Sequence, residues 1–318
     1  MRLDFAPMEG LTTSLFRQLH HEYFPGVDRY YIPFVSPTKE HKFTAKELRE
    51  ILPEYNEGMD AVPQLLSKVS DDVIWAVWKL QQMGYREVNL NLGCPSGTVT
   101  AKKKGSGMLA DPQALDAFLD GIFSGVSCAI SVKTRLGFSD PDEFEAILEI
   151  YNKYPICELT IHPRVRNDYY KHPVRMEAFE NALQKSKNPV CYNGSVVTAA
   201  DFAEIENRYP QICSIMIGQG LIADPFLAGK IRSNLKPDVV LLKEFHDRLF
   251  DGYIQRFGDR NNAMRRMKEF CAYLMRNFEG SEDLRKDLLK ARDVETYQTV
   301  ISSVFANLPL LQDCPGGW

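Results

Sequence analysis

Short apolar segments alternate with segments of helical periodicity along most of the chain, and this alternation constrains its fold more than any other feature. Runs that are apolar throughout are typical of strands buried on both faces of a parallel sheet. Eight strand–helix units in about this length predict a closed (β/α)8 barrel. The apolar runs are residues 3–6, 30–34, 61–66, 87–92, 129–134, 158–162, 190–193 and 214–217.

The segments between these runs place apolar residues at helical spacing, which predicts helices at residues 71–83, 111–123, 141–153 and 199–208. A doubly wound open sheet is the alternative fold for such an alternation. That fold typically carries a G-x-G-x-x-G motif after its first strand, and this chain has none there. The barrel is therefore the favoured interpretation.

The pattern changes after Lys236-Pro237, because no strand-like run follows. Apolar residues recur at helical spacing in residues 241–257, 263–278, 284–291 and 294–305, with glycine-containing breaks between them. We therefore expect two domains. The first is an α/β barrel over residues 1–236, and the second is an all-helical domain over residues 237–318.

Composition limits the classes of function. The net charge of -4 does not suggest a nucleic-acid binder, so any contact with RNA would depend on local basic patches. The seven cysteines lack paired metal-type spacings, so no metal site is expected. No signal peptide precedes the first strand and no apolar run approaches ~18 residues, so we expect a reduced cytoplasmic protein without a membrane anchor. We also expect a monomer.

Polar residues follow the predicted strands, and the carboxyl ends of barrel strands carry the active site. One such residue is more often structural than functional, but a collection at one rim favours a site. In chain order the strand ends carry Pro7, Met8 and Glu9; Gln64; Asn91 and Cys94; Lys133 and Arg135; His162 and Arg164; Asn193, Gly194 and Ser195; Gly218 and Gln219.

A single thiol, Cys94, ends the fourth strand in a Gly-Cys-Pro turn, and the same loop continues to Lys102, Lys103 and Lys104. A thiol so placed can meet a substrate, and the lysines can meet phosphates. Free cysteine is also commonly a small buried hydrophobe, and three lysines commonly form a solvated loop. On these residues alone both interpretations remain open.

Lys133 has two chemical interpretations. It can form a Schiff base, as in aldolases, or it can stay protonated and stabilise a cofactor that becomes anionic, such as a reduced flavin. The glycine turns at Gly194 and Gly218 indicate phosphate binding, because glycine lets backbone N–H groups approach an anion closely. The helix expected to open at Asp224-Pro225 can aim its N-terminus at the same place. Arg135 and the adjacent thiol loop favour the redox cofactor.

Taken in order, these segments resemble the tRNA-dihydrouridine synthase family of the FMN-dependent, bacterial type. The resemblance covers the whole barrel. The helical tail is also similar, with Arg266-Met267-Lys268 where the family carries a basic helix. The barrel motifs are Ala6-Pro7-Met8-Glu9-Gly10, Asn91-x-Gly93-Cys94-Pro95-Ser96, Lys133-x-Arg135-Leu136-Gly137, His162-x-Arg164, Asn193-Gly194 and Gly218-x-Gly220.

The resemblance implies an oxidoreductase that uses FMN and NADPH to reduce the 5,6 double bond of a uridine in tRNA. Cys94 would be the catalytic proton donor. The cofactor would be held by Pro7, Met8, Glu9, Gln64, Lys133, His162, Asn193, Gly194, Ser195, Gly218 and Gln219. The tRNA would be held by Asn91, Arg135, Arg164, Lys102, Lys103, Lys104, Arg265, Arg266 and Lys268, with Arg260 in the same basic helix.

Two positions depart from the family pattern. Ser195 stands where the family usually has an acidic residue, and Gln219 stands where it usually has arginine. Charge-assisted hydrogen bonds are the stronger ones, so loss of a charged phosphate partner predicts weaker FMN binding.

Three rival functions remain. One is a barrel flavoprotein that reduces a small pyrimidine-like molecule, which would not need the helical tail. Another is a Schiff-base lyase acting through Lys133, which would be colourless. The third is a tRNA-binding or folding factor with weak reductase activity, which would retain tRNA without flavin.

Overall fold

The computed structural model describes residues 1–315, and its first part is a closed barrel of eight parallel strands. Strands adjacent in sequence are adjacent in the barrel, and β1 pairs with β8 to close it. The strands are β1 Arg2–Phe5, β2 Arg29–Val35, β3 Ala61–Leu65, β4 Glu87–Leu92, β5 Ala129–Gly137, β6 Leu159–Val165, β7 Val190–Tyr192 and β8 Ser214–Ile217.

Helices follow the strands around the barrel and continue beyond β8. The helices of the barrel are α1 Ser14–Tyr23, α2 Ala45–Ile51, α3 Ser70–Gln82, α4 Gly97–Thr100, α5 Pro112–Gly125, α6 Glu143–Tyr151, α7 Met176–Lys185, α8 Ala199–Arg208, α9 Gln219–Ala223 and α10 Leu227–Ser233. The helices of the tail are α11 Val239–Phe257, α12 Arg260–Leu274, α13 Glu282–Lys290 and α14 Val294–Asn307.

The barrel predicted from the apolar runs is confirmed, since each run coincides with one strand. These strands are buried on both faces, as predicted from runs in which apolar and polar residues do not alternate. Every residue of β6, for example, is buried. The helical tail is confirmed as well. The division at residues 236 and 237 into two domains stays a prediction.

The tail packs against the first helix of the barrel through aromatic rings. Phe16 of α1 contacts Phe245 of α11 and Phe270 of α12 edge to face, with ring centroids 5.7 and 5.6 Å apart. The sharp break between these two tail helices follows from Gly258, whose φ of +65° suits glycine, and from Asp259, whose side chain accepts the Asn262 N–H at 2.7 Å. Among residues 1–315, no helix is both long and apolar enough to cross a bilayer.

The inside of the barrel holds a small apolar cluster, separate from the main core between barrel and helices. Its members are Ala6, Tyr31, Val62, Cys191 and Met216. We call the carboxyl ends of the strands the upper end and the amino ends the lower end. All strands are parallel, so the upper end gathers every strand terminus singled out from the sequence.

Candidate active site

Two adjoining cavities open at the upper end of the barrel and share five walls. The turn cavity, of about 90 Å³, is bounded by the loops after β7 and β8. The thiol cavity, of about 370 Å³, is bounded by Phe34 of β2 and by the loop after β4. The shared walls are Pro7, Met8, Lys133, His162 and Tyr170. Residues predicted from six of the seven strand ends thus meet at one place.

The turn after β4 holds Cys94 from both sides. The side-chain oxygen of Asn91 accepts the N–H groups of Gly93 and Cys94, at 3.2 and 2.9 Å. The carbonyl oxygen of Cys94 accepts the N–H and the hydroxyl of Ser106, at 3.1 and 2.8 Å. Gly105 makes this possible, because its φ is +56° and a Cβ there would lie 2.9 Å from the Cys94 carbonyl oxygen.

Burial raises the pKa of the Cys94 thiol above its ordinary value of 9.0, and the carboxylate of Glu9 adds to the rise. A hydrogen bond from Ser96 and the cations Arg135 and Lys133 oppose it without cancelling it. The thiol is therefore protonated at neutral pH, and half-buried in the wall of the cavity it can act as a proton donor.

Lys133 is half-buried between Asn91 of β4 and Thr160 of β6, which flank it in the sheet. Within residues 1–315 its ammonium group has no ion pair and no hydrogen bond. Burial, followed by the nearby Arg135, lowers the pKa of Lys133 to about 8. A cation that lines two cavities and lacks an internal partner is fitted to a negatively charged ligand.

His162 and Arg164 form a pair beside Lys133. The Arg164 guanidinium donates to Nε2 of His162 at 2.9 Å, which leaves the ring proton on Nδ1. Burial, and then the cations Arg135, Lys133 and Arg164, hold the pKa of His162 well below 6.5. The imidazole is therefore neutral, with its N–H donor at Nδ1, in the shared wall of the two cavities.

The turn cavity has the features of a phosphate cradle. Arg164 also donates to the hydroxyl of Ser195 at 2.9 Å, so a buried cation lies beside the turn after β7. A Cβ on Gly194 would lie 2.4 Å from the Tyr192 hydroxyl, and one on Gly218 would contact Met8 at 3.4 Å. Gly194 therefore lets the Tyr192 hydroxyl approach the backbone closely, whereas a side chain at Gly218 would make only ordinary contacts. Arg164 thus places a positive charge beside this turn, where Ser195 and Gln219 had predicted the loss of a charged residue.

One expectation about this cradle is wrong. The Asp224-Pro225 segment does not open towards the cavity: Asp224 is buried and paired with Lys230 at 2.6 Å. The helix that begins at the cavity is α9, capped by Gly218, because the chain turns into a helix directly after β8.

The other cofactor residues inferred from the resemblance divide into two groups. Glu9, Gln219 and Asn193 lie in the cavity walls, and Asn193 donates to the Met216 carbonyl at 2.8 Å. Gln64 is buried below the cavities, where its amide bonds to Asn89 and Asn91, both at 2.8 Å. A contact between Gln64 and the cofactor stays a prediction.

Arg135 lies in the wall of the thiol cavity but is almost entirely buried. It donates to the carbonyl oxygens of Gly93 and Val165, each at 3.0 Å. It therefore joins the Cys94 turn to the end of β6, in addition to any contact with a substrate.

Apart from Arg135 and Arg164, the basic residues predicted to contact RNA lie outside the two cavities, and they differ in how many protein contacts they make. Lys102, Lys103 and Arg265 are exposed, whereas Lys104 is half-buried and burial lowers its pKa. Arg266 donates to the Gly10 carbonyl at 2.8 Å, and Lys268 donates to the Ala291 carbonyl at 2.7 Å. These last two therefore hold the tail together and to the rim.

Sequence reasoning missed two features of the rim. Tyr170 lies in the walls of both cavities, with its ring 5.3 Å from the Arg135 guanidinium. The pair Tyr169-Tyr170, soon after the His162-x-Arg164 motif, was the available signal. A groove of about 700 Å³, the rim groove, lies between this loop and the tail. Its walls are Tyr169, Tyr170, Lys171, Gln219, Ala272, Tyr273, Arg276, Arg285, Lys286 and Leu289.

Comparison with known proteins agrees with this geometry. The family model described as "Dihydrouridine synthase (Dus)" matches residues 4–307. The probable tRNA-dihydrouridine synthases of Staphylococcus epidermidis (strain ATCC 12228) and Staphylococcus aureus (strain Mu50) are each 25% identical over 324 residues, covering 95% of this chain and 93% of theirs. The tRNA-dihydrouridine synthase B of Pasteurella multocida is 26% identical over 243 residues, 76% of this chain and 72% of its own. The family match runs through the whole barrel and most of the tail, and the chain therefore belongs to the dihydrouridine synthase family.

Proposed function

We propose that this protein is a tRNA-dihydrouridine synthase, an oxidoreductase that reduces the 5,6 double bond of a uridine in tRNA with FMN and NADPH. Family membership supports the reaction class. The observation that carries the residue assignments is the meeting, in one cavity, of a protonated thiol and a lysine that has no hydrogen bond or ion pair among the described residues. A cation suits a cofactor that gains negative charge on reduction, and a neutral acid suits a substrate that needs a proton.

The residues present fit FMN. Lys133 would contact the polar edge of the ring system, and His162 would donate its Nδ1–H there. Arg164, Ser195 and the backbone around Gly218 would hold the phosphate. When bound and reduced with NADPH, FMN would supply the hydride that is added to carbon 6 of the uracil.

Cys94 supplies the proton. When hydride reaches carbon 6, carbon 5 gains electron density and must be protonated. The Cys94 Sγ–H lies on the turn that Asn91 and Ser106 hold in the cavity wall, and it would give its proton to carbon 5. Arg135 bonds the same turn through the Gly93 carbonyl and so limits its movement. The thiol afterwards regains a proton from water.

The tRNA must present its uridine outside the base stack, since the cavity admits a single base and not a helix. The rim groove supports this, because aromatic rings stack on bases and cations attract phosphates. The exposed Lys102, Lys103 and Arg265 are further contact candidates. We propose that residues 237–318 act as the tRNA-binding domain.

Cellular location and assembly complete the proposal. The seven cysteines, all within the described residues, are free thiols, which supports a reducing cytoplasmic location. A monomer stays the expectation and can be checked by sedimentation.

The deciding experiment uses tRNA from a strain that lacks this gene. The purified protein should be yellow, contain about one FMN per chain, and form dihydrouridine in that tRNA when NADPH is added. A colourless protein would overturn the flavin assignment. Reduction of free uracil or uridine but not of tRNA would favour the small-molecule reductase, and tRNA binding without turnover would favour the binding factor.

A further inference from the structure

Four side chains below the thiol cavity form a continuous series of hydrogen bonds, here called the amide relay. Asn91 donates to Gln64, and Gln64 donates to Asn89, both at 2.8 Å. Asn89 in turn donates to the Ser131 hydroxyl oxygen at 2.9 Å. The relay crosses strands β3, β4 and β5 and ends one layer below the cavity.

The relay has a direction. Two backbone N–H groups of the Cys94 turn point at Asn91, so the Asn91 oxygen must face upwards and its nitrogen downwards. Each amide below must then present oxygen upwards and nitrogen downwards in turn. The hydroxyl of Ser131 ends the series as an acceptor. Reversing any one amide would place two donors or two acceptors against each other.

The relay lies in the barrel interior, where such errors are costly. Asn89 and Ser131 are fully buried, Gln64 is 1% exposed and Asn91 is 9% exposed. A buried polar group left without its partner typically costs about 1–3 kcal/mol, which is enough to hold each amide in one orientation. Neither Asn89 nor Ser131 is among the described residues that wall the two cavities.

We propose that Asn89 and Ser131 are positioning residues for the proton transfer from Cys94. They act through the two amides above them, which present the Asn91 oxygen to the Cys94 turn. The inference rests on the proposed function, since it assigns the relay to the proton donor of that reaction. A displacement of a reacting group by about 1 Å can cost on the order of 100-fold in rate.

Three variants separate positioning from space filling. Asn89→Leu removes the acceptor for Gln64. Asn89→Asp keeps an acceptor, and the Ser131 hydroxyl can turn and donate to it. Thr160→Val is the matched control, because the Thr160 hydroxyl is buried in the neighbouring strand and has no hydrogen-bond partner within residues 1–315.

Two readouts are taken on the holoenzyme. In stopped flow, Asn89→Leu should slow reoxidation of the flavin by tRNA at least 10-fold, while its reduction by NADPH changes less than 2-fold. In a timed iodoacetamide reaction followed by peptide mass spectrometry, Cys94 should alkylate about 3- to 10-fold faster, because the released turn exposes the thiol. Cys128 serves as the reference, and buried Cys271 should stay protected in folded protein.

The expected pattern is a defect in Asn89→Leu, recovery in Asn89→Asp and no effect in Thr160→Val. Any of three results would overturn the proposal. They are equal behaviour of the Leu and Asp variants, an equal defect in Thr160→Val, and unchanged Cys94 alkylation in Asn89→Leu. If Asn89→Leu exposes Cys271 and so fails to fold, Ser131→Ala decides by the same two readouts. A wild-type protein without flavin or tRNA turnover would instead refute the proposed function, while the alkylation test of the relay would stand.

Discussion

The two ends of the barrel are both polar and both largely buried, yet their charged groups are arranged in opposite ways. At the lower end, Arg2 pairs with Asp4 at 2.8 Å and with Glu158, and Tyr31 donates to Glu158 at 2.8 Å. At the upper end, Lys133 has no partner within the described residues. Lower-end charges satisfy each other, whereas the upper end keeps a cation available.

Cavity size alone would have pointed to the wrong end. A cavity of about 860 Å³, larger than either of the two at the upper end, lies at the lower end beside Arg29, Asp60 and Glu87. Arg29 there already pairs with both carboxylates, each at 2.8 Å. The lower end also holds a group of side chains that could bind a metal ion, because the ligand atoms of Asp4, Glu158 and Cys191 lie within 4.8 Å of one another. Arg2, however, already pairs with both carboxylates. Unsatisfied charge, more than volume, therefore distinguishes a ligand site from a structural one.

The largest effect should come from the upper-end thiol. Cys94→Ala should slow tRNA-dependent reoxidation of the flavin about 100- to 10,000-fold, because a general acid is lost. Flavin content and reduction by NADPH should not change. Cys128→Ala, at the lower end, is the control, and equal loss in both variants would remove the distinction. In the wild type, the rate of tRNA-dependent flavin reoxidation should fall only as the pH rises past 9, because burial raises the pKa of the Cys94 thiol.

The next effect concerns the lower end and should appear in stability alone. Glu158→Leu leaves Arg2 and the hydroxyl of Tyr31 short of a partner, so the free energy of unfolding should fall by about 3 kcal/mol. Flavin per folded chain should stay constant. Denaturant titration and flavin absorbance measure the two quantities, with exposed Glu57→Leu as control. Loss of flavin without loss of stability would assign the lower end to binding.

Lys133→Met should give the reverse pattern. FMN affinity should fall about 10- to 100-fold, the range expected when a charge-assisted hydrogen bond is lost. The flavin-free protein should nevertheless melt at a higher temperature than the wild type at pH 7, because a desolvated charge with no partner among residues 1–315 is removed. A melting temperature lowered as much as in Glu158→Leu would show that Lys133 is structural.

The pH dependence of this effect has a definite sign. The folded pKa of Lys133, about 8, lies below its ordinary value of 10.5, so the unfolded chain binds more protons between these values. The stability of the flavin-free wild type should therefore rise with pH across that window. The stability advantage of the Met variant should shrink over the same pH range.

The smallest effect concerns the rim outside the cavities. Replacing exposed Arg260 and Arg265 by glutamine should reduce the slope of log affinity for tRNA against log salt by about 1 per charge, and affinity itself only a few-fold. NADPH-dependent flavin reduction should not change. Lys153 and Lys185, at the lower end of the barrel, are the equal-charge control. An unchanged slope would indicate that tRNA docks at the rim groove or at residues 102–104 instead.

The sequence by itself determined the barrel, the tail and the strand ends that meet at the upper end. It could do so because burial on both faces leaves unbroken apolar runs, and because parallel strands bring all their carboxyl ends together. The same reasoning placed Cys94 on a turn and Lys133 on the fifth strand, although Lys133 lies in the middle of β5 and not at its end. Neither inference needed a partner from another strand.

Only the tertiary structure decided which side chains are engaged and which are available. The sequence assigned Arg164 to the substrate, but it lies beside Ser195, 31 residues away. Arg266 and Lys268 look like free cations, yet they donate to the carbonyls of Gly10 and Ala291. Hydrogen bonds act over about 3 Å in space and are indifferent to separation along the chain. Whether a charge is satisfied therefore depends on distant segments that only the fold brings together.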